Sequence, residues 1–268
     1  MKQPRLRKSL IAFVALVLVG ALAAFVFTKA RGGFSKGVPI AAKRSDQMPR
    51  VILWAWERPV DLRFINPGET GVAFLARTIQ LKANEVVVRR RLQPLELPDG
   101  ARVIAVARIE TDSKRTPELS NQQTEKLAAA IAEMAQLPDV LLVQIDFDAT
   151  RSERGFYRNV ILAVRQRVPA SVGLSITALA SWCTDDDWIF DLPIDEAVPM
   201  LFRMGPDRVA IRNRLASGED FPARPCRSSY GISTDEPLPN LSPARRLYVF
   251  NPDPWSENSV RAIMDSRK

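Results

Sequence analysis

Leu141-Leu142-Val143-Gln144-Ile145-Asp146-Phe147-Asp148 reads as a buried strand whose last residues turn polar on one side only. Successive side chains of a strand point to opposite faces, so Gln144, Asp146 and Asp148 share one face while Val143, Ile145 and Phe147 share the other. An unpaired carboxylate inside a protein costs several kcal/mol, comparable to the whole net stability of a domain. Such carboxylates are therefore paired, placed in a solvated cleft, or used in chemistry. The carboxyl end of a parallel strand in a barrel is where enzymes of that architecture keep their reactive groups.

Seven further apolar runs accompany this one: Val51 to Trp56, Gly71 to Gln80, Arg102 to Glu110, Val172 to Ala180, Ala197 to Met204, Ser229 to Thr234 and Arg246 to Asn251. Helical patterns separate several of them, the mark of parallel β/α units. Ser120 to Leu137 opens with Ser120 and Gln123 as a capping box and carries Leu127, Ile131 and Met134 on one side. Ser152 to Val168 ends before Pro169, and Pro206 to Ser217 ends at Gly218. Between the second and third runs, Val86-Val87-Val88 after Lys82-Ala83-Asn84 reads as a hairpin partner instead of a helix. The expected fold is α/β, a small or irregular (β/α)8 TIM-type barrel spanning residues 50–268.

The N-terminus bears on location. Lys2, Arg5, Arg7 and Lys8 precede an uncharged apolar run from Leu10 to Phe27, long enough to cross a bilayer as a helix. Ala21-Leu22-Ala23 within it has the small-x-small form that a signal peptidase cuts. Residues 1–31 therefore read as a signal anchor or a cleaved signal peptide, and residues 32–49, with Gly32, Gly33, Gly37 and Pro39, as a linker. By the positive-inside rule the body is exported, tethered to the cytoplasmic membrane or secreted. Nine of the 38 Lys and Arg precede Asp46 and none of the 30 Asp and Glu does, so the body is close to neutral. That balance points away from a nucleic-acid partner. The basic terminus suits anionic lipid heads.

The chain has no histidine, which excludes a Ser-His-Asp triad, a Cys-His pair and a His-ligated zinc site. Acid-base work would fall to carboxylates, most simply as a pair flanking a glycosidic bond. In this reading Asp148 is the proton donor, held protonated by burial and by Asp146, and Asp146 stays ionised to orient it. Glu57 or Glu236 supplies a second carboxylate across the barrel. No metal or cofactor is called for. The alternative is that Asp146 and Asp148 form a structural network with Arg58, Arg108 or Arg203.

The polar groups following the strands make the substrate-binding candidates: Trp56, Arg58, Gln144, Trp182, Arg203, Asp235, Glu236, Asn251 and Trp255. Indole rings are good platforms for sugar rings, and four of the five Trp lie at or beyond these strand ends. Asp185-Asp186-Asp187 reads as the acidic first turn of a short helix or as a cation loop. Cys183 and Cys226 are the only cysteines, and export permits a disulfide. Strand order puts them nominally at opposite ends of the barrel, unless the loop from Gly218 to Arg227 climbs its wall.

The segments Trp54-Ala55-Trp56-Glu57-Arg58-Pro59, Asp61-Leu62-Arg63, Gln144-Ile145-Asp146-Phe147-Asp148-Ala149, Leu174 to Cys183 and Ala197 to Gly205 resemble the bacterial exported family catalogued as domain of unknown function 3142. The family name carries no reaction. A more distant resemblance is to family 18 glycoside hydrolases, the chitinase-like barrels, whose fourth strand ends in Asp-x-Asp-x-Glu. Gln144, Asp146 and Asp148 stand at those positions, with Asp148 one methylene shorter than the Glu that acts as acid there. The resemblance implies a carbohydrate-active barrel facing an envelope glycan. A glycan-binding barrel without turnover and a purely structural barrel are the other readings.

Overall fold

The computed structural model describes residues 47–184, 186–237 and 241–267. The anchor or signal expected at 1–31, and the linker up to residue 46, lie outside the described residues. No helix among the described residues is long and apolar enough to cross a membrane.

Eight parallel strands close into a barrel. In chain order they are β1 (Val51–Ala55), β3 (Thr70–Lys82), β6 (Val103–Thr111), β7 (Val140–Asp146), β8 (Gly173–Leu179), β9 (Glu196–Met200), β10 (Ser229–Ser233) and β11 (Arg246–Phe250). Each pairs with the next, and β1 closes the ring by pairing both β3, Val51 opposite Thr70, and β11, Val51 opposite Leu247. All eight correspond to the apolar runs of the sequence. A short pair, β2 (Val60–Asp61) with β5 (Leu95–Glu96), lies apart from the ring.

The helical layer is incomplete, as the sequence pattern indicates. Helix α1 (Asn121–Ala132) follows β6, α2 (Arg154–Arg167) follows β7, α3 (Arg208–Ala216) follows β9 and α4 (Glu257–Asp265) follows β11. Ser120 caps α1 through the expected box, its hydroxyl accepting from the Gln123 amide while the Gln123 side chain accepts from the Ser120 amide. Gln123 also donates to the carbonyls of Ala83 and Glu85, fastening α1 to the hairpin turn. That hairpin is β3 with β4 (Glu85–Arg90), antiparallel, with Ile79 opposite Val88. The lower half of β3 pairs β1 and its upper half pairs β4, so the hairpin raises the barrel wall above the short first strand.

Two apolar cores result. Outside the strands, Val143 and Ile145 of β7 pack with Leu127 and Ile131 of α1 and Tyr157, Val160 and Ile161 of α2. Inside, Ile52, Trp54, Ala73, Ile104, Val106, Leu142, Val198 and Tyr248 fill the lumen. Gly231 is required there: a Cβ at this position would lie 3.1 Å from Trp54 Cη2, so glycine lets the indole cross the barrel.

The barrel floor is more polar than the strand openings indicate. Glu196, the first residue of β9, is buried and accepts hydrogen bonds from Tyr248 Oη at 2.7 Å and Arg246 Nη1 at 3.0 Å. Burial and the neighbouring carboxylate push the Tyr248 phenol well above its ordinary range. A single Glu in front of an apolar run reads as loop in the sequence, so its burial here leaves no local signal.

The two cysteines are bonded, with Cα atoms 6.0 Å apart. Opposite nominal ends of the strands proved no obstacle, because β9 between them is only five residues long. Residues 218–227 climb outside it, and the Ala223 amide donates to the Cys183 carbonyl at 3.3 Å.

Candidate functional site

A row of polar side chains crosses five adjacent strands near the carboxyl end of the barrel. Arg89 of β4 stands opposite Thr78 of β3, Thr78 opposite Arg108 of β6, and Arg108 opposite Asp146 of β7; Thr177 of β8 completes the row by a hydrogen bond to Asp146. Thr78 reaches the lumen because β3 carries an extra residue between Leu75 and Arg77. Below this bulge Ala73 and Leu75 face inward; above it the even-numbered Thr78 does.

Arg108 is the hinge of the electrostatics. Its Nη1 lies 2.8 Å from Asp146 Oδ2 and its Nη2 3.1 Å from Asp148 Oδ2, so one guanidinium grips both carboxylates. Thr177 Oγ1 donates to the remaining Asp146 oxygen at 2.7 Å. The shared face read from the strand is thus real, but the two residues exchange the roles expected of them. Asp146 is the buried carboxyl, its side chain 5 % exposed, whereas the Asp148 side chain is 47 % exposed at the rim. Burial pushes the Asp146 carboxyl above the usual aspartate value, opposed by Arg108 and the Thr177 hydroxyl. The two carboxylates in turn hold the Arg108 guanidinium above its ordinary value against the burial that would lower it.

Above this row opens a cleft of about 620 Å³, within the usual range for a small-molecule site. Trp54, Trp56, Phe202 and Phe250 give it an aromatic side; Glu57, Glu110, Asp148 and Asp207 bring carboxylates to it. Phe202 and Phe250 are stacked, 5.9 Å apart with ring planes 1° from parallel, and Trp54 lies 6.3 Å from Phe202. Arg203 has a left-handed backbone, φ 50°, a conformation that costs a non-glycine residue about 1 kcal/mol or more. Its amide donates to Glu236 Oε1 at 2.7 Å and its guanidinium lies 5.2 Å from the Phe250 ring. Glu57 accepts from Thr78 Oγ1 at 2.8 Å.

Of the residues singled out from sequence, Asp146, Asp148, Glu57, Trp56 and Arg203 come together in the cleft. Arg108, named from sequence as their ion-pair partner, borders it too, and the remaining candidate substrate-binding residues do not. Gln144 is fully buried beneath, where it accepts from Trp54 Nε1 at 3.0 Å and donates to Ser175 at 3.1 Å, holding the indole that forms the cleft floor. Trp182 is buried in the outer core, edge-on to Trp188 at 4.9 Å, and offers no face to a ligand. Trp255 is turned inward to donate to the Trp54 carbonyl at 2.9 Å. Arg58 and Asn251 brace loops: Arg58 donates to the Pro252 carbonyl, and Asn251 accepts from Thr234. Asp235 and Glu236 support Arg203 from behind, and Glu236 also approaches Arg212 at 3.6 Å. Asp186 is bound by Arg154 at 2.7 Å within an irregular segment, where a helical first turn was expected; Asp185 lies outside the described residues.

Sequence reasoning passed over Phe202, Phe250 and Thr177 as site residues. The alternation that marked Asp146 would have found two of them: Phe250 follows lumenal Tyr248 by two positions, and Thr177 follows Ser175 by two. Among the described residues no group of three or more His, Cys, Asp or Glu is placed to hold a metal ion. Comparison with protein-family models, curated proteins and solved structures finds no match to this chain.

Proposed function

We propose that the cleft is a carbohydrate site, on a protein exported to the bacterial envelope and tethered there by its N-terminal apolar segment. The observation that carries this reading is the convergence of aromatic rings with hydrogen-bonding carboxylates in one cleft at the carboxyl-end mouth of a parallel barrel. Sugar rings present apolar C–H faces and a rim of hydroxyls. Phe202, Phe250 and Trp56 suit the first, while Glu57, Glu110 and Asp148 suit the second as acceptors. The distant chitinase-like pattern at Gln144, Asp146 and Asp148 agrees with it.

Binding is favoured over hydrolysis by the grip of Arg108. A general acid at Asp148 would have to release a charge-assisted contact of 3.1 Å in order to carry its proton. Asp146 is fully engaged by Arg108 and Thr177. The second reading is glycoside hydrolysis, supported by three carboxyl side chains, Glu57, Glu110 and Asp148, bordering the same space.

The test uses full-length protein in mild detergent, titrated with soluble fragments of envelope glycans and other oligosaccharides. Saturable binding that Phe250→Ala weakens about tenfold or more supports the site. An absence of binding across the panel, or affinity indifferent to Phe250, refutes it. Product release that Asp148→Asn abolishes while affinity persists would select hydrolysis.

A further inference from the structure

We infer that the cleft continues into an anion-recognising subsite under the β3–β4 hairpin, so that the glycan it takes is an acidic one, carrying a carboxylate or phosphate substituent. The inference rests on the carbohydrate reading and narrows its ligand class. Its starting point is a second cavity of about 390 Å³ that shares Glu57, Leu75, Thr78 and Arg89 with the main cleft and is completed by Arg90 to Gln93. The two spaces are continuous around the ledge made by Glu57 and Thr78, whose side chains are joined at 2.8 Å.

The charge in this lobe is unbalanced. Three consecutive arginines line it against one carboxylate, Glu57. Arg91 spends its guanidinium on main-chain carbonyls, donating to Arg58 at 2.6 Å and Gln93 at 3.0 Å; these satisfy its N–H groups and leave Glu57 to offset its charge. The guanidinium groups of Arg89 and Arg90 make no hydrogen bond or ion pair among the described residues, in a body where most arginines near a carboxylate are engaged by one. Position makes Arg89 the informative member. It is opposite Thr78 in the β3–β4 ladder and heads the polar row that runs through Arg108 to Asp146. Arg108 has two carboxylates of its own chain; Arg89 has none.

A guanidinium presents paired N–H donors that match a carboxylate or a phosphate in a fork. Glu57 lies beside it with an oxygen not taken by Thr78, an acceptor suited to a sugar hydroxyl. A ligand that satisfies both offers hydroxyl donors and an anionic group on neighbouring atoms, which describes an acidic sugar better than a bare phosphate. The near-neutral charge of the body beyond Asp46 and the small extent of the lobe argue against a polyanion such as a nucleic acid.

The experiment measures binding of oligosaccharides supplied as matched pairs, uronate-bearing against its methyl ester and phosphorylated against dephosphorylated, with inorganic phosphate as a separate arm. It uses the full-length chain in mild detergent. The acid form of a bound glycan is expected to bind about tenfold or more tightly than its neutral partner. In the Arg89→Gln, Arg90→Gln variant that ratio falls to within about twofold of one. Both residues are exposed, so an unchanged melting temperature shows that the fold is retained. The pair that shows the preference identifies the carboxylate or the phosphate as the anion. Equal binding of acid and neutral forms by the wild type overturns the subsite and leaves the carbohydrate cleft standing. A preference that survives the double substitution also overturns it, as does inorganic phosphate binding as tightly as the acidic glycan. A panel in which nothing binds, neutral or acidic, removes the carbohydrate reading itself and the subsite with it.

Discussion

Replacing Arg108 by Met keeps the volume of the side chain and removes its charge, which isolates what the guanidinium does for Asp146. The Asp146 carboxyl is almost inaccessible and would keep only the Thr177 hydroxyl. Breaking a buried pair in this way costs about 3–5 kcal/mol, reduced here because the Arg108 side chain is 29 % exposed and water can partly replace it. There is also a ceiling. Asp146 can always escape by taking up a proton, and from an ordinary aspartate value of about 3.9 that costs about 4 kcal/mol at pH 7 and about 1 kcal/mol at pH 4.5. The folded-state value of this carboxyl is already raised by burial, and loss of Arg108 raises it further. A group raised in this sense contributes its full stability below the unfolded value and loses it as pH climbs through the folded value. The variant should therefore lose about 2–4 kcal/mol at pH 7 and about 1 kcal/mol or less at pH 4.5, read by urea unfolding against wild type at each pH. Adding Asp146→Asn should recover most of the loss at pH 7 and abolish its pH dependence. An equal loss at both pH values, or strict additivity of the two substitutions, would show that Arg108 does not hold a buried charge.

Three further outcomes follow from the packing. Cys183→Ser with Cys226→Ser opens a bridge spanning 43 residues of sequence, worth about 4 kcal/mol by loop entropy; urea unfolding of the double variant should match that of reduced wild type, and a change below about 1 kcal/mol would contradict the bond. Gly231→Ala places a methyl 3.1 Å from Trp54 and 3.4 Å from the Pro199 carbonyl, and should cost about 1–3 kcal/mol in thermal or chemical unfolding while altering Trp fluorescence. Gln144→Leu leaves the Trp54 indole N–H in the lumen without its acceptor and should cost about 1–3 kcal/mol; an unchanged melting temperature would mean that water reaches the indole.

Much of the barrel is legible in the chain because β-strands buried on both sides appear as plain apolar runs, and all eight do. The capping box at Ser120 and the hairpin after Lys82 are equally local signals, set by residues three or four apart. The site is legible only as far as period two reaches. Alternation pairs Asp146 with Asp148 on one face, yet the depth at which each sits depends on where β7 ends relative to its neighbours, and that is decided by β6 and β8. The same limit misplaces Trp182: the four-residue 3-10 turn that directly follows β8, Ala180–Cys183, sends the indole to the outer core instead of the mouth. The disulfide and the buried Glu196 depend on the length of β9 and on the path of a loop, neither of which leaves a local trace.

The extra residue in β3 divides that strand into two segments that answer to different constraints. Up to Leu75 the odd positions belong to the lumen; from Arg77 onward the odd positions pack outward, Arg77 on the Ala130 carbonyl of α1 and Ile79 in the outer core, while Thr78 looks inward. Were Ala76 to take its place in the ladder directly after Leu75, the upper segment would invert as a unit, delivering a guanidinium and two aliphatic chains to the ligand space and sending Thr78 out of it; with Ala76 set aside, Arg77 pairs with β6 as the next residue after Leu75 and the faces are kept. The mouth of this barrel is accordingly set by where one surplus residue is stored, and a strand shortened by that residue would present the same faces to the lumen while the lower half of the wall stays as it is.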